Sequence, residues 1–359
     1  MRVFTVRGIE VDVTAATAAE AREAALAEGH VLAMQKLLAR LLPRDDAARI
    51  QPFKPPQVVP YVKDFEVIEE RTSDVRYLAS LTFRFKPDPV RGLLRDAGLV
   101  HAETISKPVV VLPVYGPEGE ARLWDETNPW WQVWAPRRPE DWLVPLIVPL
   151  GDLGDISAID AAQALAGDAE RLSTIARRYG ADDVLITQAV LSGDPMAFQA
   201  TLQVGTSRLG AQTHQTIIEN YTQQPGETVD VLLARAAGAV DGEVQESWKQ
   251  RNLLRPGTRR EILVTVPIEG LDQWLEVKQR LGTVAAVQLS ELSTISRTRT
   301  EVQITFVGEE QQLVLAMAQS DLVLSLNPVS GWQLELSEAR KAALSAPAPA
   351  AEQPVPTSQ

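Results

Sequence analysis

Residues 107–150 read KPVVVLPVYGPEGEARLWDETNPWWQVWAPRRPEDWLVPLIVPL, and the rest of the chain is parsed from them. Residues 109–115 are a near-continuous Val-rich run, the composition of a central strand covered on both faces; a half-exposed strand would alternate. Gly116 and Pro117 end the run. A loop follows that holds five of the chain's eight tryptophans, Trp124, Trp130, Trp131, Trp134 and Trp142, and a second apolar run at 144–148 reads as another strand.

Beyond that stretch, Ser157 has N-cap chemistry with Asp160 three residues on, which predicts a helix over 158–165. A second helix over 168–179 closes on Gly180. Residues 181–191 read as a strand, 197–204 and 212–221 as an antiparallel pair, and 227–248 as a long helix. Strands and helices in this order make an α/β layer, so residues 105–254 are expected to form a central α/β module carrying the Trp-rich loop.

Upstream, residues 3–13 alternate at period two, as a half-buried strand does. Thr17 and Glu20 have capping-box spacing before an Ala-rich helix over 18–42 that Pro43 stops. Residues 52–60 read as a short connection, 64–70 and 75–85 as a hairpin around Ser73 and Asp74, and 89–97 as a helix. Residues 1–100 are thus expected as a strand–helix–hairpin–helix α+β module. Downstream, strands at 261–268, 284–296 (with a bulge), 299–306, 322–326 and 332–336 alternate with helices at 271–281 and 309–320. That is the ferredoxin-like order, assigned to residues 259–340. The Ala/Pro composition of 341–359 predicts a disordered tail. The fold class expected is α+β or α/β, in three small mixed modules.

With 359 residues the chain can bury more than one core. A net charge of −12 argues against nucleic acid and against an anionic lipid surface, because both draw their binding energy from clustered Lys and Arg. The absence of cysteine removes disulfides, thiolate nucleophiles and Cys-based metal sites. No apolar run approaches the roughly 20 residues that cross a bilayer. The chain opens at MRVFTVRG without a basic and apolar leader, so it is expected to be cytoplasmic or to have had an export signal removed.

Chemistry-bearing motifs are sparse. GxxxxGKS/T, GxGxxG after a strand, HExxH and GxSxG are all missing, so no cofactor and no catalytic residue is assigned. His30, His101 and His214 are too far apart for a local metal site; His30 reads as a helical histidine with no second ligand at i+4. Asp152, Asp155 and Asp160 have two readings: a cation or acid/base site, or turn formation and helix capping. The Trp loop also has two. Trp124, Trp130, Trp131 and Trp134 with Arg137 and Arg138 combine the commonest ingredients of a contact surface for a partner, peptide or glycan. Alternatively Trp130, Trp131 and Trp134 lie on a short helix whose rings fill a small core under the sheet edge. Trp142, leading straight into the second strand, is expected to be core.

Three stretches resemble the bacterial domain-of-unknown-function 2066 family: residues 4–41, FTVRGIEVDVTAATAAEAREAALAEGHVLAMQKLLARL; the 108–134 segment; and residues 262–293, ILVTVPIEGLDQWLEVKQRLGTVAAVQLSELS. The family has no established activity, so no catalytic residue carries over. Its members are exported by Gram-negative bacteria, which implies a periplasmic location. The middle region is also similar to the amino-terminal α/β domain of TolB and to the curli-secretion lipoprotein, whose domains bind other envelope proteins. The function expected is therefore a non-enzymatic envelope-associated interaction module. A hydrolase using the acids beside the loop and a purely structural scaffold remain as alternatives.

Overall fold

The alternating residues at the amino terminus build β1 (Thr5–Thr14), and the Ala-rich segment forms α1 (Ala18–Leu41), capped by the Thr17 side chain, which accepts from Glu20 N. The computed structural model describes residues 2–137, 142–197, 199–210, 213–254, 259–296, 299–328 and 330–345. A short helix, α2 (Arg44–Arg49), comes next, and α3 (Pro55–Val58) with a 3-10 turn at Val59–Tyr61 falls in the segment expected over 52–60 to be a plain connection. Its prolines stand at first-turn positions, where the missing N–H costs nothing. A hairpin of β2 (Val62–Thr72) and β3 (Arg76–Phe85) follows, then α4 (Pro87–Asp96). The antiparallel order is β1-β3-β2, with α1 packed on one face. Gly29 lets α1 lie close to that sheet, since a Cβ there would come within 2.9 Å of Leu81.

The central layer contains β4 (Val109–Tyr115), α5 (Pro129–Trp134), β5 (Leu146–Ile147), α6 (Leu153–Ala158), α7 (Ala161–Ala166), α8 (Ala169–Arg178), β6 (Asp183–Ser192), β7 (Thr201–Gly210), β8 (Thr213–Thr222) and α9 (Val229–Arg251). The sheet order is β5-β4-β6-β7-β8; β4 runs parallel to β5 and β6, and β6-β7-β8 is an antiparallel meander. Strand β4 is buried along both faces, as its composition predicts. Val109 and Val111 join the core beneath α5 and α9, while Val110, Leu112 and Val114 join the one beneath α7 and α8. Two local expectations fail. The second apolar run pairs over only two residues. Ser157 is not a cap: its hydroxyl donates to Leu153 O inside α6, while Asp152 and Asp160 cap α6 and α7.

One hydrophobic core runs from β1, α1 and β3 through β4 and α5 to α9. Residues 100–105, where the sequence reading divides its first two modules, carry the buried Ala102, Glu103 and Thr104. Helix α9 holds the layers together. Lys249 Nζ donates to Ala39 O (3.2 Å) and Leu42 O (2.7 Å) at the carboxyl end of α1, and Trp248 Nε1 donates to Thr104 O (2.7 Å). A free helix end would leave such carbonyls to water. Met1–Leu254 is accordingly one compact unit.

The second unit, Arg255–Gln359, holds β9 (Arg260–Pro267), α10 (Leu271–Leu281), β10 (Val287–Ile295), β11 (Arg299–Phe306), α11 (Glu310–Gln319), β12 (Leu322–Asn327), β13 (Gly331–Leu336) and α12 (Glu338–Ser345). Its order is β10-β11-β9-β13-β12, and β10 carries the expected irregularity. The ferredoxin-like arrangement holds through β11. It departs at the last hairpin, where β13 takes the slot beside β9, running parallel to it, and pushes β12 to the edge. The tail expected to be disordered from residue 341 is helical as far as Ser345. There the Ala-rich sequence favours helix, and Lys341 pairs with Glu335 and Glu338. Residues 346–359 lie outside the described residues.

Candidate interaction surface

The Trp loop begins at Gly116, whose φ of 104° suits glycine alone, and its first turn is closed by mutual hydrogen bonds between Tyr115 and Arg122. Asn128 organises the rest. Fully buried, it accepts from Trp130 N (2.9 Å) and Trp131 N (3.1 Å) and donates to Pro113 O, Leu123 O and Arg122 O. It therefore caps α5 and fastens that helix to the end of β4.

On α5 the i, i+4 spacing of Trp130 and Trp134 puts both rings on one face. Both are fully buried, edge to face at 5.9 Å, and Trp130 Nε1 donates to Thr187 O (3.0 Å). These two candidates are core, which corrects the contact-surface reading for them. A six-residue helix laid on a sheet must hide its apolar side. Arg137 is also structural: it donates to Asp241 Oδ2 (3.0 Å) on α9, and its guanidinium lies 5.2 Å from the Trp134 ring centre. Arg138 lies outside the described residues. Trp142, expected to be core, is only half-buried. Trp124 and Trp131 are half-buried too, their indole N–H groups donating to Ile159 O and Pro149 O.

Large apolar side chains are conspicuous elsewhere. Among the described residues, the most exposed of them are Met196 (89%), Leu153 (83%) and Leu150 (77%). Leu150 and Leu153 come just after β5, which ends level with Val184 of β6, whereas Met196 lies beyond Ser192 in the connection from β6 to β7, about 26 Å farther along the strand direction and so apart from them. Trp131 reaches the rim of Leu150 and Leu153 through Pro149 O, and a Cβ at Gly151 would lie 3.6 Å from the Trp124 ring. Ile156, one turn beyond Leu153, is half-exposed. Asp152 lies between Leu150 and Leu153 in the chain, paired with Arg178. The carboxyl edge of an α/β sheet is where such folds receive ligands, and adjoining exposed apolar groups mark contacts.

The three acids do not converge into a catalytic pair. Asp155 is fully buried and saturated, accepting from Gly151 N (3.0 Å), Tyr179 Oη (2.7 Å) and Arg178 Nε (2.8 Å). Asp152 accepts from Asp155 N and from Arg178 Nη2, and the backbone N–H of Asp155, with Arg178, holds its carboxyl below the usual range. Asp160 is taken up separately by the N3 backbone of α7. No group of three or more His, Cys, Asp or Glu among the described residues could hold a metal ion. His30 donates to Leu26 O and packs on Phe65 and Phe83, a half-buried helical histidine. Of His214 only the backbone, in β8, is described.

Two buried networks escape sequence reading. Glu103 joins Arg91 and His101, and Asp241 joins Arg137 and Gln245. No motif links their members: His101 and Glu103, or Asp241 and Gln245, are near neighbours, but Arg91 joins from 12 residues away and Arg137 from 104. The rim did leave a signal: Leu150 is a large apolar residue set among Gly, Asp and Pro in a turn, where polar side chains are the norm.

No helix among the described residues is long and apolar enough to cross a membrane. Compared with known proteins, the chain matches no family model, no curated protein and no solved structure.

Proposed function

We propose that this chain is a non-enzymatic protein-interaction module of the bacterial envelope, working in the periplasm, with the carboxyl-edge rim of its central sheet as the contact surface. The compartment follows from the resemblance to the domain-of-unknown-function 2066 family, and the envelope partner from the likeness to the TolB-type domain. One observation carries the choice of surface: the exposed Leu150, Leu153 and Ile156 follow β5 on the segment that Trp131 and Trp124 touch at Pro149 and Gly151. A glycan- or peptide-cleaving reading would need free carboxylates there, and Asp155 is engaged by Gly151 N, Tyr179 and Arg178 while Asp160 is engaged by the first turn of α7. The scaffold reading has its own support in β10, an edge strand exposed along its length with Leu289, Leu292 and Ile295 uncovered.

The test replaces Leu150, Leu153 and Ile156 by serine together. Side chains this exposed contribute little to folding, so the unfolding midpoint should stay within a few degrees of the parent's. In-cell crosslinking from position 131 should lose its envelope partners. Undiminished crosslinking in the triple variant would sink the rim, and loss of crosslinks in a variant altered only at Leu289, Leu292 and Ile295 would favour the scaffold.

A further inference from the structure

Between α9 and the antiparallel part of the central sheet lies a cleft that the proposed contact surface does not use. Helix α9 and the face of β6–β8 diverge to leave about 330 Å³ between them. Leu185, Val240, Val244 and Ile217 form its apolar wall. Arg208 stands opposite Leu185 in the ladder, paired with Asp183 at 2.8 Å. Arg251 approaches from the last turn of α9.

The two ends of the cleft differ in charge. Arg251 makes no ion pair among the described residues; its hydrogen bonds go to Ser247, one turn back on its own helix. Partial burial and the like charge of Arg208 make its protonated form less comfortable than usual. An anion placed there would relieve both effects, and guanidinium groups bind carboxylates in a fork geometry. Toward the other end lie Glu219, which accepts from Tyr221 Oη, and Glu243, paired with Arg44. Glu219 sits opposite Val204, four residues from Arg208 along β7, a separation of about 13 Å at strand rise. A ligand fitting this cleft has one anionic head and an uncharged apolar tail, because a second anion would meet the glutamates.

We propose that this cleft binds a small amphiphilic monocarboxylate, its carboxylate on Arg251 beside the Arg208–Asp183 pair and its hydrocarbon body against Val240, Val244, Leu185 and Ile217. Such a head group could belong to a free medium-chain acid or to the carboxyl terminus of an apolar peptide; the chemistry recognised is the same.

The full chain is titrated with octanoate by isothermal calorimetry, with methyl NMR on Val240 and Val244 to place the ligand. Saturable binding with shifts at those methyls is expected; octanol should bind at least about tenfold more weakly through the loss of one charge-assisted contact, and octanedioate likewise because its second carboxylate meets Glu219 and Glu243. Arg251→Gln should weaken octanoate at least about tenfold and Arg251→Lys should restore part of it. Ile217→Glu, at a half-exposed wall position, supplies a second variant with the same expected loss through like-charge repulsion. A short peptide ending in Leu with a free carboxylate, compared with its amide, separates the two sources: tighter binding than octanoate that vanishes in the amide identifies a peptide terminus, and weaker binding identifies a free acid. Absence of saturable octanoate binding, or affinity unchanged in both Arg251→Gln and Ile217→Glu, overturns the proposal.

Discussion

Replacing Trp134 by alanine distinguishes a plug from a contact surface most directly. The indole is fully buried, edge-on to Trp130, with Arg137 over its face. Emptying such a site costs about 3–5 kcal/mol, and the lost cation–π contact adds roughly 0.5–1 kcal/mol. Against this, Trp134 Nε1 has no hydrogen-bond partner among the described residues, so its removal orphans no acceptor and relieves an unmet donor worth about 1–3 kcal/mol. The net expectation is a loss of about 3 kcal/mol. For a cooperative unit of this size that lowers the thermal midpoint by roughly 6–12 °C. Trp131→Ala gives up only partial burial and the bond to Pro149 O, and should cost about 1–2 kcal/mol. Trp134→Phe, which keeps the ring and deletes the unpaired N–H, should cost about 1.5 kcal/mol or less. Calorimetry of the three variants reads these differences. If Trp134→Ala unfolds within two degrees or so of Trp131→Ala, the plug reasoning is wrong and both rings belong to the surface.

Two further expectations concern buried charge. Burial pushes the Asp241 carboxyl up despite Gln245 and Arg137, whereas for Glu103 burial is outweighed by hydrogen bonds from Arg91 and His101, which hold it down. A raised carboxyl contributes stability that is present below its unfolded value, near pH 4, and is lost as pH rises through the folded one; a lowered carboxyl contributes stability present above its unfolded value and lost as pH falls through the folded one. Measured by denaturant unfolding between pH 3.5 and 7, Asp241→Asn should therefore gain on the parent as pH rises and Glu103→Gln should lose on it; parallel curves would contradict the assignment. Lys249→Met should cost about 2–3 kcal/mol, because it strands the carbonyls of Ala39 and Leu42 and removes the ion pair with Glu246, which keeps Gln250 and Arg44 N as partners. A loss under 1 kcal/mol by the same assay would mean that α9 does not hold the end of α1 as described.

The order of strands and helices was legible in the sequence because periodicity is a local property. Residues 109–115 declare a doubly covered strand through composition alone, and Thr17 declares the start of α1 through its capping chemistry. Short elements were less legible: α2, α3 and the two-residue β5 exist because the surrounding core holds them, and nothing in five or six residues fixes that. The last hairpin was read as two strands, yet its sequence holds no statement of which strand it joins, so the insertion of β13 beside β9 came as a change to the ferredoxin-like order.

By itself the sequence determined that the chain is an α/β and α+β protein with a buried central strand, no cysteine chemistry and a loop too rich in aromatic rings to be simple solvent-facing chain. Only the tertiary structure decided what that loop does. A tryptophan is core or surface according to what stands across from it. For Trp130 and Trp134 that is Thr187 and Arg137, distant or unmarked in sequence. The same holds for the exposed rim, where Leu150 and Leu153 come to stand by the aromatic loop because β5 lies beside β4, the strand that carries that loop.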